Sequence, residues 1–418
     1  MSAEFERDLD VYAELALNIG LNLQPGQRLL IGTPFAPTPF EAAPLVRRIA
    51  VKAYAMGARL VEVIWDDEQL SLIRVKHAAE DTLDEVVEWQ FQAVMDTVQR
   101  GDARLIILGR DPDLFRGQDA QRIGRLQRAM VQRYAPIEEL NPAFATNWLV
   151  IGVPTPGWAR RVFPDLPAEE ATARLWQAIF EVCRVKQPDP VQAWRQHLRQ
   201  LAERSQYLNQ RQFTALKYHA PGTELTVGLP VGHIWQGGLG KNRAGVQFAA
   251  NMPTDEVYTL PHRAQVDGVV AATRPFSYGG SLIEGARFTF AGGKVVDFTA
   301  RRGVEALRNL FETDEGARCL GEAALTPHSA PVSQSGLIFY NILFDENAAC
   351  HFALGDAYRD SLEGGVDMSK EQFLAAGGNV SNIHLDFMIG SSELDVDGVR
   401  RDGALEPILR RGEWAFEV

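Results

Sequence analysis

In NVSNIHLDFMIGS, residues 379–391, an imidazole and a carboxylate stand two positions apart within an otherwise apolar run. A β-strand repeats every two residues, so His384 and Asp386 would share one face. Burying both is costly unless they hydrogen-bond to each other or hold a metal ion together, and the stretch leaves both open. Three more segments set acids or histidines inside apolar runs: NMPTDEVYT (251–259), DEGARCLGEAAL (314–325) and YNILFDENAACHFALGDAY (340–358). Glu256 follows a Pro-Thr turn, Glu322 is expected late in a short helix, and Glu346 and His351 bracket Asn-Ala-Ala-Cys. A solitary Glu is usually solvated, and a solitary strand His is more often a hydrogen-bonded group than a ligand. Carboxylates converging on a divalent cation would stabilise one another's burial, and four segments of one kind argue against four coincidences. Spacing alone leaves the metal site and the solvated groups evenly balanced. A thiol mechanism is not expected. Cys350 and His351 are adjacent and would face opposite sides of a strand, so Cys350 reads as a small buried residue. His77, His197, His219, His233, His262 and His328 belong to no such segment and read as structural or surface groups.

Together the four segments resemble the aminopeptidase T family of dinuclear metallo-aminopeptidases. The likeness lies in PTDEVYT, DEGARCLGE, LFDENAACHFALGDAY and NVSNIHLDFMIGS, between residues 251 and 391. Ile342 stands where members often have threonine, and Asp255 and Tyr258 are conservative variants; no ligand position is lost. The resemblance implies that Glu256 and Glu322 are the first two metal ligands, with Glu322 shared by both ions. It implies that Glu346 and His351 follow, that His384 and Asp386 complete the set, and that Tyr358 is the catalytic tyrosine rather than a plain core residue. The implied reaction is hydrolysis of the N-terminal residue from a peptide with a free amine. Two divalent ions would polarise the scissile carbonyl and activate a water, and one would receive the α-amine. Ligands of oxygen and nitrogen without cysteine suit zinc, cobalt or manganese. Glu322, or a carboxylate that is not a ligand, would take the proton of the water, and Tyr358 would donate a hydrogen bond to the oxyanion. A homodimer is implied, with the N-terminal domain helping to enclose the cleft and restricting substrates to unfolded peptides. One alternative is a mononuclear iron ring-cleaving dioxygenase of the same fold, which needs two His and one carboxylate; Glu256, Glu322, Glu346 and Tyr358 would then be surplus. Another is a non-catalytic peptide-binding protein.

The elements that must position these residues form two halves, expected as an N-terminal α/β domain over 1–205 and a C-terminal metal-binding catalytic domain over 206–418. In the first, RLLIGTP (28–34), ARLVEVIW (58–65), ARLIILG (103–109) and NWLVIGVP (147–154) alternate with helix-periodic runs, which predicts an open, mostly parallel sheet with flanking helices. The first strand ends in Gly32-Thr33-Pro34-Phe35, without the GxGxxG turn of a dinucleotide site. The second half is α+β, with an antiparallel sheet carrying the metal site: QFTALKYHAPGTELTVGLP and GARFTFAGGKVVDFTARR read as strand pairs, PVSQSGLIFYNILF as a further strand, and Asp397-Gly398 and Asp402-Gly403 as turns. The chain has 418 residues, 46% hydrophobic and 23% charged, with net charge -12 and three scattered cysteines. That acidity argues against a nucleic-acid partner, and the cysteines form neither a disulfide framework nor a zinc pattern. No apolar run is long enough for a membrane span, and no signal-peptide pattern opens the chain. A cytoplasmic enzyme is the expectation, which makes the Asn379-Val380-Ser381 glycosylation triplet accidental.

Overall fold

The structure, a computed structural model, describes residues 2–140 and 142–418. The chain forms two compact units, Met1–Gln196 with Leu239–Thr254, and His197–Gly238 with Asp255–Val418. The expected single boundary near residue 205 is therefore replaced by several crossings. The reason is local pairing: Asn251–Met252 adds in parallel to a first-unit strand, and the Val150 amide donates to the Ala250 carbonyl at 2.8 Å.

In the first unit, β1 (Arg28–Ile31), β2 (Leu60–Val63), β3 (Ala103–Leu108) and β4 (Trp148–Gly152) pair in parallel in the order β4-β3-β1-β2, with Asn251–Met252 outside β4. Their near-continuous apolar runs suit parallel strands. Amphipathic helices α1 (Ala43–Ala55), α2 (Glu88–Arg100) and α3 (Ala120–Glu138) arise where the three-to-four spacing predicts them. Phe91, Val94 and Val98 of α2 bury with Leu30 of β1 and Ile137 of α3.

The second unit packs two antiparallel sheets. One has eight strands, including Ala215–Ala220, Thr223–Gly228, Arg287–Ala291 and Lys294–Thr299. The other has five: β5 (Gln236–Gly237), β6 (Val257–Thr259), β7 (Leu320–Leu325), β8 (His351–Gly355) and β9 (His384–Met388), ordered β9-β8-β7-β6-β5. Phe352 of β8 meets Tyr218 at 4.9 Å between ring centroids, and Phe387 of β9 meets Phe288 at 4.9 Å. One face of the five-stranded sheet is therefore core.

Three local expectations change. Glu322 lies in β7, not late in a helix: LGEAAL has helix-forming composition, but every residue of it is buried between two neighbouring strands, and tertiary burial overrides propensity. PVSQSGLIFYNILF contains the short helices Pro331–Gln334 and Ile342–Asp345 rather than a strand, because Asn341 caps the second through the Leu343 amide. Asp397-Gly398 runs inside a strand, whereas Asp402-Gly403 forms a hairpin turn. Asn379 is fully buried, its amide donating to the Gly316 and Gly355 carbonyls, so the glycosylation triplet is sterically closed.

Candidate metal centre

Strand register explains how residues 130 positions apart in sequence share one surface. Residues directly opposed across an antiparallel pair project to the same face. Glu322 opposes Ala353 and Ala324 opposes His351, while Ala353 also opposes Asp386 and Gly355 opposes His384. Tyr258 opposes Ala324, which puts Glu256 on that face one step before β6. Phe352, Leu354 and Phe387 point the other way, into the core. Between the ionisable groups the face carries Ala324, Ala353 and Gly355, small residues that leave room above the sheet. Gly355 has φ +106°, and a Cβ there would lie 2.1 Å from the Ile383 carbonyl oxygen, so glycine is required.

On this face Glu322 stands between two histidines. Its Oε1 lies 3.5 Å from His351 Nε2, and its Oε2 lies 3.3 Å from His384 Nε2. His351 Nε2 is 3.4 Å from Glu256 Oε2, and His384 Nε2 is 3.3 Å from Asp386 Oδ1. Two groups that could hold an ion result, Glu256–Glu322–His351 and Glu322–His384–Asp386, each with ligand atoms within 4.8 Å of one another. Both imidazoles turn Nδ1 to a backbone carbonyl: His351 to Ala349 at 3.3 Å and His384 to Asp356 at 2.8 Å. Such a contact fixes the tautomer and presents the Nε2 lone pair, the usual outer support of a metal-bound histidine.

The electrostatics call for cations. Glu256, Glu322, His351 and Asp386 are 7%, 4%, 2% and 7% exposed, and among the described residues the ion pairs of the three carboxylates are all to histidine. Glu256 Oε2 is buried with no hydrogen-bond partner. Burial, together with the charges of Glu322 and Asp386 and against His351, pushes Glu256 up to about 8. Burial would raise Glu322 too, but its contacts with both imidazoles prevail and hold it at about 2. Burial lowers the imidazoles, yet the carboxylates overcome it and carry His351 to about 10 and His384 to about 11. Without a metal, protons take the place between these nitrogens and oxygens. A buried orphan carboxylate oxygen, two oriented imidazoles and a carboxylate facing both ways together fit divalent ions.

Of the residues singled out from sequence, the structure thus brings Glu256, Glu322, His351, His384 and Asp386 into the two groups. Glu346 lies outside both but within electrostatic reach: burial, then Glu256 and Asp386, raise its carboxyl well above the usual range. Tyr358 is 45% exposed, with its ring 4.9 Å from that of His384. Desolvation of its hydroxyl beside Glu322 and Asp386 holds the phenol protonated. Cys350 is buried, bonds to Thr326 and is pushed up to about 12 by burial, which removes the thiol as a nucleophile.

Other participants escaped the sequence reading. His197 Nε2 lies 3.3 Å from Asp255 Oδ1, beside Glu256. Asn347, fully buried, accepts from the Asp255 amide at 2.6 Å and reaches Glu346 Oε1 at 3.5 Å. Tyr258 packs on Tyr358 with centroids 5.7 Å apart. For Tyr258 and Asn347 the signal was present, since Tyr258 stands two residues after Glu256, on the same strand face, and Asn347 directly follows Glu346; for His197, remote in sequence from Asp255, there was none.

Residues 5–414 match the family described as thermophilic metalloprotease (M29). Aminopeptidase 2 of Geobacillus stearothermophilus is 48% identical over 414 residues, covering 99% of each chain. Aminopeptidase T of Thermus thermophilus is 47% identical over 410 residues, covering 98% of this chain and 99% of its own. The solved structure of wild-type AmpT from Thermus thermophilus superposes with TM-score 0.92 at 45% identity, over 99% of this chain and 100% of that one. A 2,5-dihydroxypyridine dioxygenase from Pseudomonas putida reaches TM-score 0.53 at 9% identity over 100% and 99% of the two chains, a likeness of fold alone.

Proposed function

The chain belongs to the thermophilic metalloprotease (M29) family and is a metal-dependent aminopeptidase; we propose that it does its work with two divalent cations on the carboxylate-rich face of the five-stranded sheet. The observation that carries this reading is Glu322, whose two oxygens face different histidines, each with a further carboxylate beside it. Glu256, Glu322 and His351 would hold one ion, and Glu322, His384 and Asp386 the other. When bound, such ions supply Lewis-acid polarisation of a carbonyl and a water of lowered pKa.

The remaining work falls to the chain. His351 and His384, locked by the Ala349 and Asp356 carbonyls, offer Nε2 without reorganisation. Glu322, which faces both imidazoles through its two oxygens, would serve both ions, and as a proton acceptor it is weakened by those imidazoles. Glu346, outside the two groups, either closes the ligand set or takes the proton of the attacking water. Tyr358, protonated above His384, donates to the oxyanion that forms on the scissile carbonyl. A substrate ammonium would be drawn to the excess of carboxylates, which favours peptides with a free N-terminus. Zinc, cobalt or manganese, a homodimer and a cytoplasmic location complete the proposal. Among the described residues no helix is long and apolar enough to cross a membrane.

Metal analysis combined with paired substrates tests this. The expected result is two divalent ions per chain, cleavage of an aminoacyl-nitroanilide, and none of its N-acetylated form. One iron per chain with catechol-type turnover, or equal cleavage of the acetylated substrate, would overturn it.

A further inference from the structure

The first unit has a cavity of its own that the peptidase chemistry does not use. Its sheet order, β4-β3-β1-β2, places β2 on one side of β1 and β3 on the other. The crossovers from β1 and β2 therefore run in opposite directions, and in open α/β sheets such a reversal opens a crevice beyond the carboxyl ends of the strands. A cavity of ≈ 550 Å³ lies there, lined by Pro34 and Phe35 after β1, Asp66 after β2, and Arg110 and Phe115 after β3. That volume is within the roughly 300–1,000 Å³ of small-molecule sites. Gly32 makes the exit from β1 possible: with φ +89°, a Cβ would stand 2.7 Å from the Ile64 carbonyl oxygen.

The lining sorts by chemistry. Phe91, Ile123, Leu126 and Met130 from the flanking helices make an apolar chamber. Asp66 and Arg110 supply opposite charges at its strand end, where Arg110 is exposed and makes no hydrogen bond or ion pair among the described residues. Arg74 also lines the chamber, but its guanidinium is engaged by the Thr82 and Glu85 carbonyls. Burial raises the Asp66 carboxyl despite the attraction of Arg110 and hydrogen bonds from the Asp67 amide and Ser71, so it still gains from a cation brought to it. A polyphosphate is disfavoured, because Pro34 lacks an amide hydrogen, the glycine-rich turn is missing and Asp66 repels anions. A simple cation is disfavoured by Arg110. What satisfies both charges and fills the chamber is a zwitterion with an apolar body.

We propose that this cavity is a second binding site, for a free α-amino acid with an aliphatic or aromatic side chain. Its ammonium sits on Asp66, its carboxylate on Arg110, and its side chain among Phe91, Leu126 and Met130. Such molecules are products of aminopeptidase action, but the site stands on its own geometry and does not depend on the metal centre.

Calorimetric titration of the metal-loaded full chain with L-leucine, 3-methylbutylamine (which lacks the carboxylate and any scissile amide) and N-acetyl-L-leucine provides the test, in wild type and in Asp66→Asn, Arg110→Gln and Leu126→Trp. Wild type should bind one equivalent of L-leucine that each substitution weakens at least tenfold. Each analogue lacking one charge should bind there at least tenfold more weakly. Turnover of an aminoacyl-nitroanilide at low substrate and the melting temperature should stay at wild-type values. The Leu126→Trp variant blocks the chamber without touching a charge and so separates occupancy from electrostatics. The same stoichiometry and affinity in all three variants, or analogues binding as tightly as L-leucine, would refute the site while leaving the peptidase reading intact.

Discussion

At the residue scale the decisive group is Glu322, because each of its oxygens serves a different histidine. Replacing one oxygen by an amide nitrogen puts a donor where an acceptor is needed. Glu322→Gln should therefore lower metal affinity by more than the roughly 10–100-fold typical of losing an outer hydrogen-bond partner, read by calorimetry. Glu346→Gln separates the two roles open to that carboxylate. Retained metal with lost kcat identifies the proton acceptor, and parallel loss of metal identifies a ligand. Tyr358→Phe keeps the ring over His384 and removes only the hydroxyl, so kcat should fall about 10²-fold with KM nearly unchanged. A larger change in KM than in kcat would place the tyrosine in substrate binding instead.

At the element scale, the site depends on strand alignment. Asn347 ties the segment before β6 to the segment before β8 through the Asp255 amide. Asn347→Ala leaves that buried N–H without its acceptor, at a cost of about 1–3 kcal/mol measurable by urea unfolding, and metal affinity should fall with it. Gly321 sets the irregular register before Glu322: a Cβ would lie 2.1 Å from the Asp356 carbonyl oxygen. A side chain there must displace backbone, so Gly321→Val should weaken both stability and metal binding. Stability falling with metal affinity untouched would mean that the register does not position the ligand. The His384–Asp386 face was legible because an alternating pattern of that kind reports a strand directly. The Glu322 strand was not, since a doubly covered strand loses alternation and LGEAAL then resembles a helix.

At the scale of the whole molecule, metal and protons compete for one cavity. In metal-free protein His351 and His384 are carried from 6.5 to about 10 and about 11 by Glu322 and its neighbours despite burial. A histidine with a raised folded-state pKa stabilises fully below 6.5 and progressively loses that contribution as pH rises to the folded value. Chelator-treated protein should accordingly lose stability between pH 6.5 and about 10. The metal-loaded form should not, and its apparent metal affinity should rise with pH as protons are displaced. Melting temperatures with and without chelator across that range decide it; parallel curves would mean that these imidazoles do not face the metal. Saturating metal at about a thousandfold above its dissociation constant should add about 4 kcal/mol.

The sequence by itself determined which groups are available for chemistry, the alternation of strand and helix in the first half, the antiparallel character of the second, and the family through contiguous segments between residues 251 and 391. Those properties reside in local pattern, which the order of residues carries directly. Tertiary structure alone decided that Ala353 and Gly355 clear the space between ligands, that His197 meets Asp255, that Asn347 links the Asp255 amide to Glu346, and that a charged chamber opens between β1 and β3. Each depends on which strands become neighbours and in what register, and that is fixed by burial of the opposite, apolar face rather than by the residues that do the chemistry.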